Sequence, residues 1–356
     1  MEPKYDPSKG KERHRLPKEQ WGRQNLPILS EVKGERIYMT EPVDETCWAY
    51  MKLLRERDKT KKIYPVDPYA EVYQFRDQVY GILTESLDGM GDSWMYLVNG
   101  PEKALLVDTS FGIGDLKGLV DEITGGKEVI VVNTHNHFDH AYGNAQFDRV
   151  YCHEYEAPII RRQDSHIWDY LFEEDTGRGI WADIDRRDII QFKEYEVIGC
   201  PDGTVFDLGE GHEVELVFLG GHSAGHAGYL DRKNRIFFAG DDIISMRVGI
   251  NGAKPGTPFG EYASVAALRN NLRRLAKRLD EFDHVFSGHF VTDLENSTVI
   301  NMLEACEAVC NDPEGACSYM KEQKGTMKYF RYVEGLGTLC YTLKSVWSEA
   351  PVPHLK

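Results

Sequence analysis

No segment of this chain approaches the roughly 18 consecutive apolar residues that a membrane-crossing helix needs, so the sequence predicts no membrane association. The start, Met1-Glu2-Pro3-Lys4-Tyr5-Asp6, lacks the apolar core of a secretion signal, and the expected location is the cytoplasm. Positive charge is also in short supply. Lys and Arg number 42 against 58 Asp and Glu, a formal net charge of −16. Binding to nucleic acid through phosphate neutralisation requires a basic footprint, so nucleic acid is not an expected partner. Cysteine is sparse and unpatterned. There are seven, an odd number in a long chain without an export signal, which argues against a disulfide framework. Only Cys306, Cys310 and Cys317 cluster, at a spacing foreign to zinc knuckles; Cys306 and Cys310 read as neighbours on one helix face. The hydrophobic share of 41% is that of a globular protein, and 356 residues suffice for one large core or two modest ones.

Residues 1–45 form a charged arm carrying Pro3, Pro7, Pro17 and Pro27 and few aliphatics, too polar to order itself by burial. Residues 46–77 are expected to be helical. One short helix is placed on Cys47, Met51, Leu53 and Leu54, and another over 69–75. The core pattern begins near Val79, with strand-like runs at 79–84, 94–98, 104–107 and 129–132. A helix carried by Leu116, Leu119, Val120 and Ile123 stops at Gly125-Gly126. The core domain spans 78–300. A C-terminal extension over 301–356 combines a helix with a hairpin around Glu334-Gly335-Leu336-Gly337, and serves either a sheet or a homo-oligomer.

The richest stretch is Thr134-His135-Asn136-His137-Phe138-Asp139-His140. It follows the apolar run Val129-Ile130-Val131-Val132, which reads as a buried strand. Imidazoles and carboxylates suit zinc and other first-row divalent metals. Four such groups in one turn exceed what a single tetrahedral ion takes from one segment, which points to two metals. The device recurs at later strand ends. Residues 214–219 lead into Gly220-Gly221-His222-Ser223-Ala224-Gly225-His226-Ala227-Gly228, residues 235–240 end on Asp241-Asp242, and 284–288 end on His289. Loops leaving strand ends collect catalytic groups because the scaffold fixes their positions. Between the last two runs lies an amphipathic helix with Val265, Leu268, Leu272, Leu275 and Leu279 on one side. Its other side bears Arg269, Arg273, Arg274, Lys277 and Arg278, read as a solvated face.

With His135-x-His137-x-Asp139-His140, His226, Gly240-Asp241 and Gly288-His289 in this order, the chain resembles the metallo-β-lactamase superfamily over roughly residues 78–292. The resemblance implies an α/β fold, a four-layer αββα sandwich of two mixed β-sheets flanked by helices. It implies that His135, His137 and His226 hold one divalent ion and that Asp139, His140 and His289 hold a second, with Asp241 bridging. Two zinc ions are expected, with iron or manganese equally compatible with such ligands. His222 is then a supporting loop residue, Asp242 offers at most a hydrogen bond, and Asp108 steadies the ligand loops without binding metal. A hydroxide between the ions would attack the substrate, with Asp139 orienting it and passing a proton to the leaving group.

The bridging Asp241 resembles that of the lactonases, glyoxalase-II-like thioesterases and phosphodiesterases of the family, which antibiotic-cleaving members generally lack. The expected function is hydrolysis of an ester, lactone or thioester of a small organic molecule. A phosphodiesterase, a mononuclear iron oxidoreductase of the persulfide dioxygenase type and a metal-stabilised binding protein are the alternatives. Tyr142 stands where many members carry glycine. Residues 159–199 are an insert that the ligand pattern does not need, and its aromatics Trp168, Tyr170 and Trp181 are expected to wall the substrate pocket as a lid.

Overall fold

The computed structural model describes residues 35–36, 50–51, 53–55, 57–84, 86–87, 91–180, 182–184 and 186–347. Nearly all of the arm over 1–45 lies outside them.

The first sheet contains eight strands: β1 (Lys62–Tyr64), β2 (Asp67–Arg76), β3 (Val79–Thr84), β4 (Ser93–Asn99), β5 (Ala104–Val107), β6 (Val129–Val132), β7 (Arg149–His153) and β8 (Glu196–Cys200). They lie side by side in reverse sequence order. The pairs from β1 to β5 are antiparallel and those from β5 to β8 parallel, so the sheet is mixed. The next strands are β9 (Val205–Asp207), β10 (Glu213–Phe218), β11 (Ala227–Asp231) and β12 (Ile236–Gly240). After β13 (Arg247–Ile250) leaves for a third sheet, β14 (His284–Ser287) and β15 (Leu294–Glu295) complete the second. It too is mixed, because β12 and β14 run parallel.

Strand periodicity explains how the sheets stack. In β4, Trp94, Tyr96 and Val98 point at the second sheet, while Met95 and Leu97 face outward. In β12, Ile236 and Phe238 meet them from the other side, and Phe237 and Ala239 face outward. Both faces of both strands are buried, which is why their sequences read as continuous apolar runs. Helix α1 (Leu116–Thr124) covers the first sheet with Leu116, Leu119 and Val120. Asp115 caps it by accepting from Gly118 N, and Gly125 ends it in a left-handed conformation. Two short helices follow, α2 (Phe138–Ala141) and α3 (Ala157–Ile160). Helices α4 (Val265–Leu275) and α5 (Ser297–Asn311) cover the second sheet. The layers are helix, sheet, sheet, helix, the expected αββα sandwich. The basic face of α4 is neutralised locally, with Arg273 on Glu307 at 2.8 Å and Arg274 on Asp202. Cys306 and Cys310 are buried in the core on α5.

One expectation is corrected. Residues 69–75 form strand β2, not a helix, and the first sheet starts at residue 62. Tyr73 enters the inter-sheet core while Ala70 and Val72 face the helical side, an alternation of period two. Helical backbone in the 46–77 segment is confined, among the described residues, to positions between 50 and 57.

The C-terminal extension builds its own sheet. Strands β16 (Tyr319–Gln323), β17 (Thr326–Val333) and β18 (Gly337–Tyr341) are antiparallel neighbours, and β18 pairs in parallel with β13. Helix α6 (Leu343–Val346) follows. No helix among the described residues is long and apolar enough to cross a membrane.

Candidate metal centre

Every candidate ligand leaves the end of a core strand or the turn after it. His135 follows β6, and His137, Asp139 and His140 lie on or beside α2. His222 and His226 occupy the turn between β10 and β11, Asp241 follows β12, and His289 follows β14. Two buried tyrosines tie these ends across the sandwich. Tyr96 of the first sheet donates to Ser287 O at 2.6 Å, and Tyr229 of the second donates to Asn133 O at 2.7 Å. Glycine is required at two places. A Cβ on Gly288 would lie 2.3 Å from Asp241 Oδ1, and one on Gly240, where φ is +53°, would lie 2.7 Å from His226 Nε2.

The side chains gather in two adjoining groups. In the first, His137 Nδ1 stands 3.0 Å from His135 Nε2 and 3.0 Å from His222 Nε2. In the second, His289 Nε2 stands 3.0 Å from Asp139 Oδ2 and 3.2 Å from His140 Nε2. Asp241 lies between them. Its Oδ1 is 3.3 Å from His140 Nε2, and its Oδ2 is 3.4 Å from His289 Nε2 and 3.6 Å from His222 Nε2. Three ligand sets emerge from this packing, His135–His137–His222, His135–His140–Asp241 and Asp139–His140–His289.

The opposite ring nitrogens show what the inward ones are for. His222 Nδ1 donates to Gly249 O at 2.7 Å, His289 Nδ1 to Asp92 O at 2.9 Å, and His140 Nδ1 to Asp108 Oδ2 at 2.9 Å. His135 Nδ1 faces Thr134 Oγ1 at 3.0 Å, and that hydroxyl donates to Asp108 Oδ2 at 2.8 Å. Each contact holds a proton on the outward nitrogen and turns Nε2 toward its neighbours, and in the first group, where burial keeps the rings neutral, that leaves bare lone pairs facing one another. Lone pairs crowded together without protons between them fit a cation, and the imidazole–carboxylate mixture fits a divalent one. Burial holds His135 well below the usual histidine value and His137 down at about 3, and it lowers His222 too. Burial opposes charge on His140 as well, but the carboxylates of Asp241, Asp139 and Asp108 push it up to about 10.

His226 does not join either group. Its Nδ1 lies 2.8 Å from Asp242 Oδ2, and its Nε2 accepts from the Asp241 N–H at 3.0 Å, so both nitrogens are spent. The geometry therefore puts His222 in the place expected of His226 and gives His226 the supporting role. Asp242 does more than expected, since its Oδ1 also accepts from His222 N at 3.0 Å. Asp108, with φ +64°, receives Thr134 N at 2.7 Å besides His140 and the Thr134 hydroxyl. Those hydrogen bonds offset the strain of a left-handed aspartate.

Sequence reasoning missed Glu156. Its buried carboxylate accepts from Asn136 Nδ2 at 2.6 Å and from the Ser223 hydroxyl. Asn136 stands between His135 and His137 and Ser223 follows His222, so this one side chain clamps two ligand loops together. Burial raises its pKa, while the bonds from Ser223 and Asn136 lower it. No local motif announces such a contact.

The insert's aromatics divide. Trp168 is 1% exposed, donates to Phe111 O at 2.6 Å and packs with Leu171, Phe172 and Ile189, so it anchors the insert and does not line a pocket. Tyr170 is 45% exposed and meets Phe138, between His137 and Asp139, edge-on at 5.7 Å. Tyr142 packs edge-on between Phe138 and Trp168. Trp181 lies outside the described residues. The end of the insert, 196–199, belongs to β8 at the edge of the first sheet.

Two stacked sheets with histidines and aspartates at one edge define a metallo-β-lactamase-fold hydrolase. Residues 88–289 match the model of the metallo-beta-lactamase superfamily, and the chain belongs to that superfamily, whose members imply divalent metal ions. Over 212 residues it is 26% identical to the human acyl-coenzyme A thioesterase MBLAC2, covering 56% of this chain and 73% of that protein. Over 216 residues it is 25% identical to a hydroxyacylglutathione hydrolase of Maricaulis maris (strain MCS10), covering 60% of this chain and 68% of that one. Among solved structures, a metallo-beta-lactamase from Pontibacter korlensis is similar at 19% identity and a TM-score of 0.46, covering 67% of this chain and 99% of that one.

Proposed function

We propose that this protein is a dinuclear metal hydrolase that cleaves a thioester, with oxygen esters and lactones as weaker substrates. The observation that carries the reading is the Asp241 carboxylate, which reaches His222 of one ligand group and His140 and His289 of the other. His135, His137 and His222 would hold one ion, and Asp139, His140 and His289 the other, with Asp241 shared. Such ions, zinc foremost, supply Lewis acidity and a hydroxide nucleophile at neutral pH. The names of the relatives, an acyl-coenzyme A thioesterase and a hydroxyacylglutathione hydrolase, support a thioester as the bond attacked.

The chain's own groups organise the rest. Asp139 sits at the head of α2 with one oxygen committed to His289, which leaves the other to accept a proton from the nucleophile and deliver it to the leaving sulfur. Asp108, Gly249 O and Asp92 O keep the rings from turning during turnover. Tyr170 on Phe138 places an aromatic side chain from the insert beside the ligands, suited to an acyl group. The test is a panel of thioester, oxygen ester, lactone and phosphodiester substrates offered to zinc-loaded protein. Thioesters should give the highest kcat/KM; hydrolysis confined to phosphodiesters would overturn the reading.

A further inference from the structure

The C-terminal sheet carries a feature that the hydrolytic site does not use. Lys321 of β16 stands directly opposite Lys328 of β17. Like charges in a cross-strand pair are destabilising, and an acidic chain has carboxylates to spare for relieving them. The strand register puts Tyr319, Tyr332 and Arg247 on the same side as the two lysines, because cross-strand partners and alternate residues share a face. Among the described strand residues, that face contains no Asp or Glu. None of the ion pairs among the described residues involves Arg247, Lys321 or Lys328; Lys328 donates to Asn251 Oδ1. The opposite face is buried against the helices at Val333, Leu339 and Tyr341 and exposed at Met320 and Met327, so at the two lysines the cationic face is open to solvent.

Its aromatic rings are displayed. Tyr319 stacks on Phe330 at 4.5 Å with nearly parallel planes, and Tyr332 is 64% exposed beside it. Cations next to open aromatic faces recognise phosphate next to a flat base. The face is also continuous with the metal centre, since Gly249 of β13 accepts the His222 N–H. Lys328 and Lys321 stand two and three strands from β13, about 10 to 15 Å away. With roughly 5 Å more from Gly249 O across the His222 ring, an arm the length of about six extended residues reaches the metal centre.

We propose that this face binds the nucleotide end of a thioester whose thiol carrier bears phosphates and a purine, with the thioester itself reaching the metal centre. The proposal rests on the thioester reading above. Acyl-coenzyme A and the same acyl group on pantetheine, which lacks the nucleotide, separate the two ideas. Wild-type protein should show a KM for acyl-coenzyme A about tenfold or more below that for acylpantetheine, a ratio that falls toward one in Lys321→Glu and in Tyr332→Ala. Adenosine 3′,5′-bisphosphate should bind wild-type, zinc-loaded protein by calorimetry, and more weakly in either variant and at high salt. Equal KM values in wild type, or a ratio untouched in both variants, would overturn the proposal. So would a preference for acylglutathione whose KM rises in Lys321→Glu, since the cations would then serve carboxylates. If no thioester is cleaved, the hydrolytic reading fails, and binding of the bisphosphate still decides the face.

Discussion

The Nδ1–H of His222 donates to the carbonyl oxygen of Gly249 at 2.7 Å. Gly249 lies on β13, opposite Cys340 of the C-terminal sheet. A candidate ligand at the edge of the sandwich is thus oriented by a strand that residues far along the chain hold in place. Asp92 O does the same for His289, and Asp108 for His140. The site depends on tertiary partners as much as on its own motif.

The exchange of His222 for His226 has a direct consequence. His222→Ala should lower bound zinc from about two ions per chain toward one and cut kcat/KM at least about a hundredfold. His226→Ala should keep both ions at saturating zinc, but it strips Asp242 Oδ2 of its ring partner at a fully buried position, a loss of about 3–5 kcal/mol. That loss reads as a fall in Tm of many degrees. Equal metal loss in the two variants would contradict the assignment.

Much of this was legible before any fold was seen. The 135–140 cluster, Asp241 and His289 announce themselves because each ends an apolar run, and strand ends are visible as composition. The sequence reading takes His226 as the ligand and His222 as its support, whereas the geometry groups His222 with His135 and His137; the two lie four residues apart in one glycine-rich turn, and nothing local separates them. Strand β2 escapes the sequence reading because its polar residues Glu71 and Gln74 fall on opposite faces, so the alternation shows no polar stripe. Glu156 and Gly249 O stayed invisible, because their importance lies in contacts between distant segments.

Metal uptake should be stepwise in pH. Burial holds His137 at about 3 and lowers His135 and His222, so the first group is neutral throughout the neutral range and its affinity should vary little with pH. Burial also works against charge on His140 and His289, yet Asp241 and Asp139 raise both, His140 to about 10. In metal-free protein this raised value contributes stability that is complete below the ordinary 6.5 and is lost as pH climbs through about 10. An incoming ion must displace those protons, so affinity for the second ion should rise up to about tenfold per pH unit for each proton displaced. Zinc titrations at several pH values check this, and two steps with the same pH slope would count against it.

Glu156→Ala should loosen the clamp between Asn136 and Ser223 and weaken zinc binding about 10- to 100-fold, with kcat falling in step. Glu156→Gln retains an acceptor and should recover part of the affinity. Competition with a chelator gives both numbers. Unchanged affinity in Glu156→Ala would show that the two loops hold themselves.

The insert's two placements predict opposite behaviours. Trp168→Ala should cost about 3–5 kcal/mol of stability through a buried cavity and a lost hydrogen bond. Tyr170→Ala should leave Tm nearly unchanged and alter KM for acyl substrates. Denaturant melts and steady-state kinetics on the pair distinguish anchor from wall, and a KM shift confined to Trp168→Ala would reverse the roles.

The central claim is that Asp241 joins two ligand groups into one two-metal centre. Metal content and thioester hydrolysis measured together on wild type and Asp241→Asn test it most directly. Wild type should hold two ions per chain and the variant fewer, with a loss of activity of at least about a hundredfold. A wild-type protein that binds a single ion and keeps full activity after Asp241→Asn would contradict it.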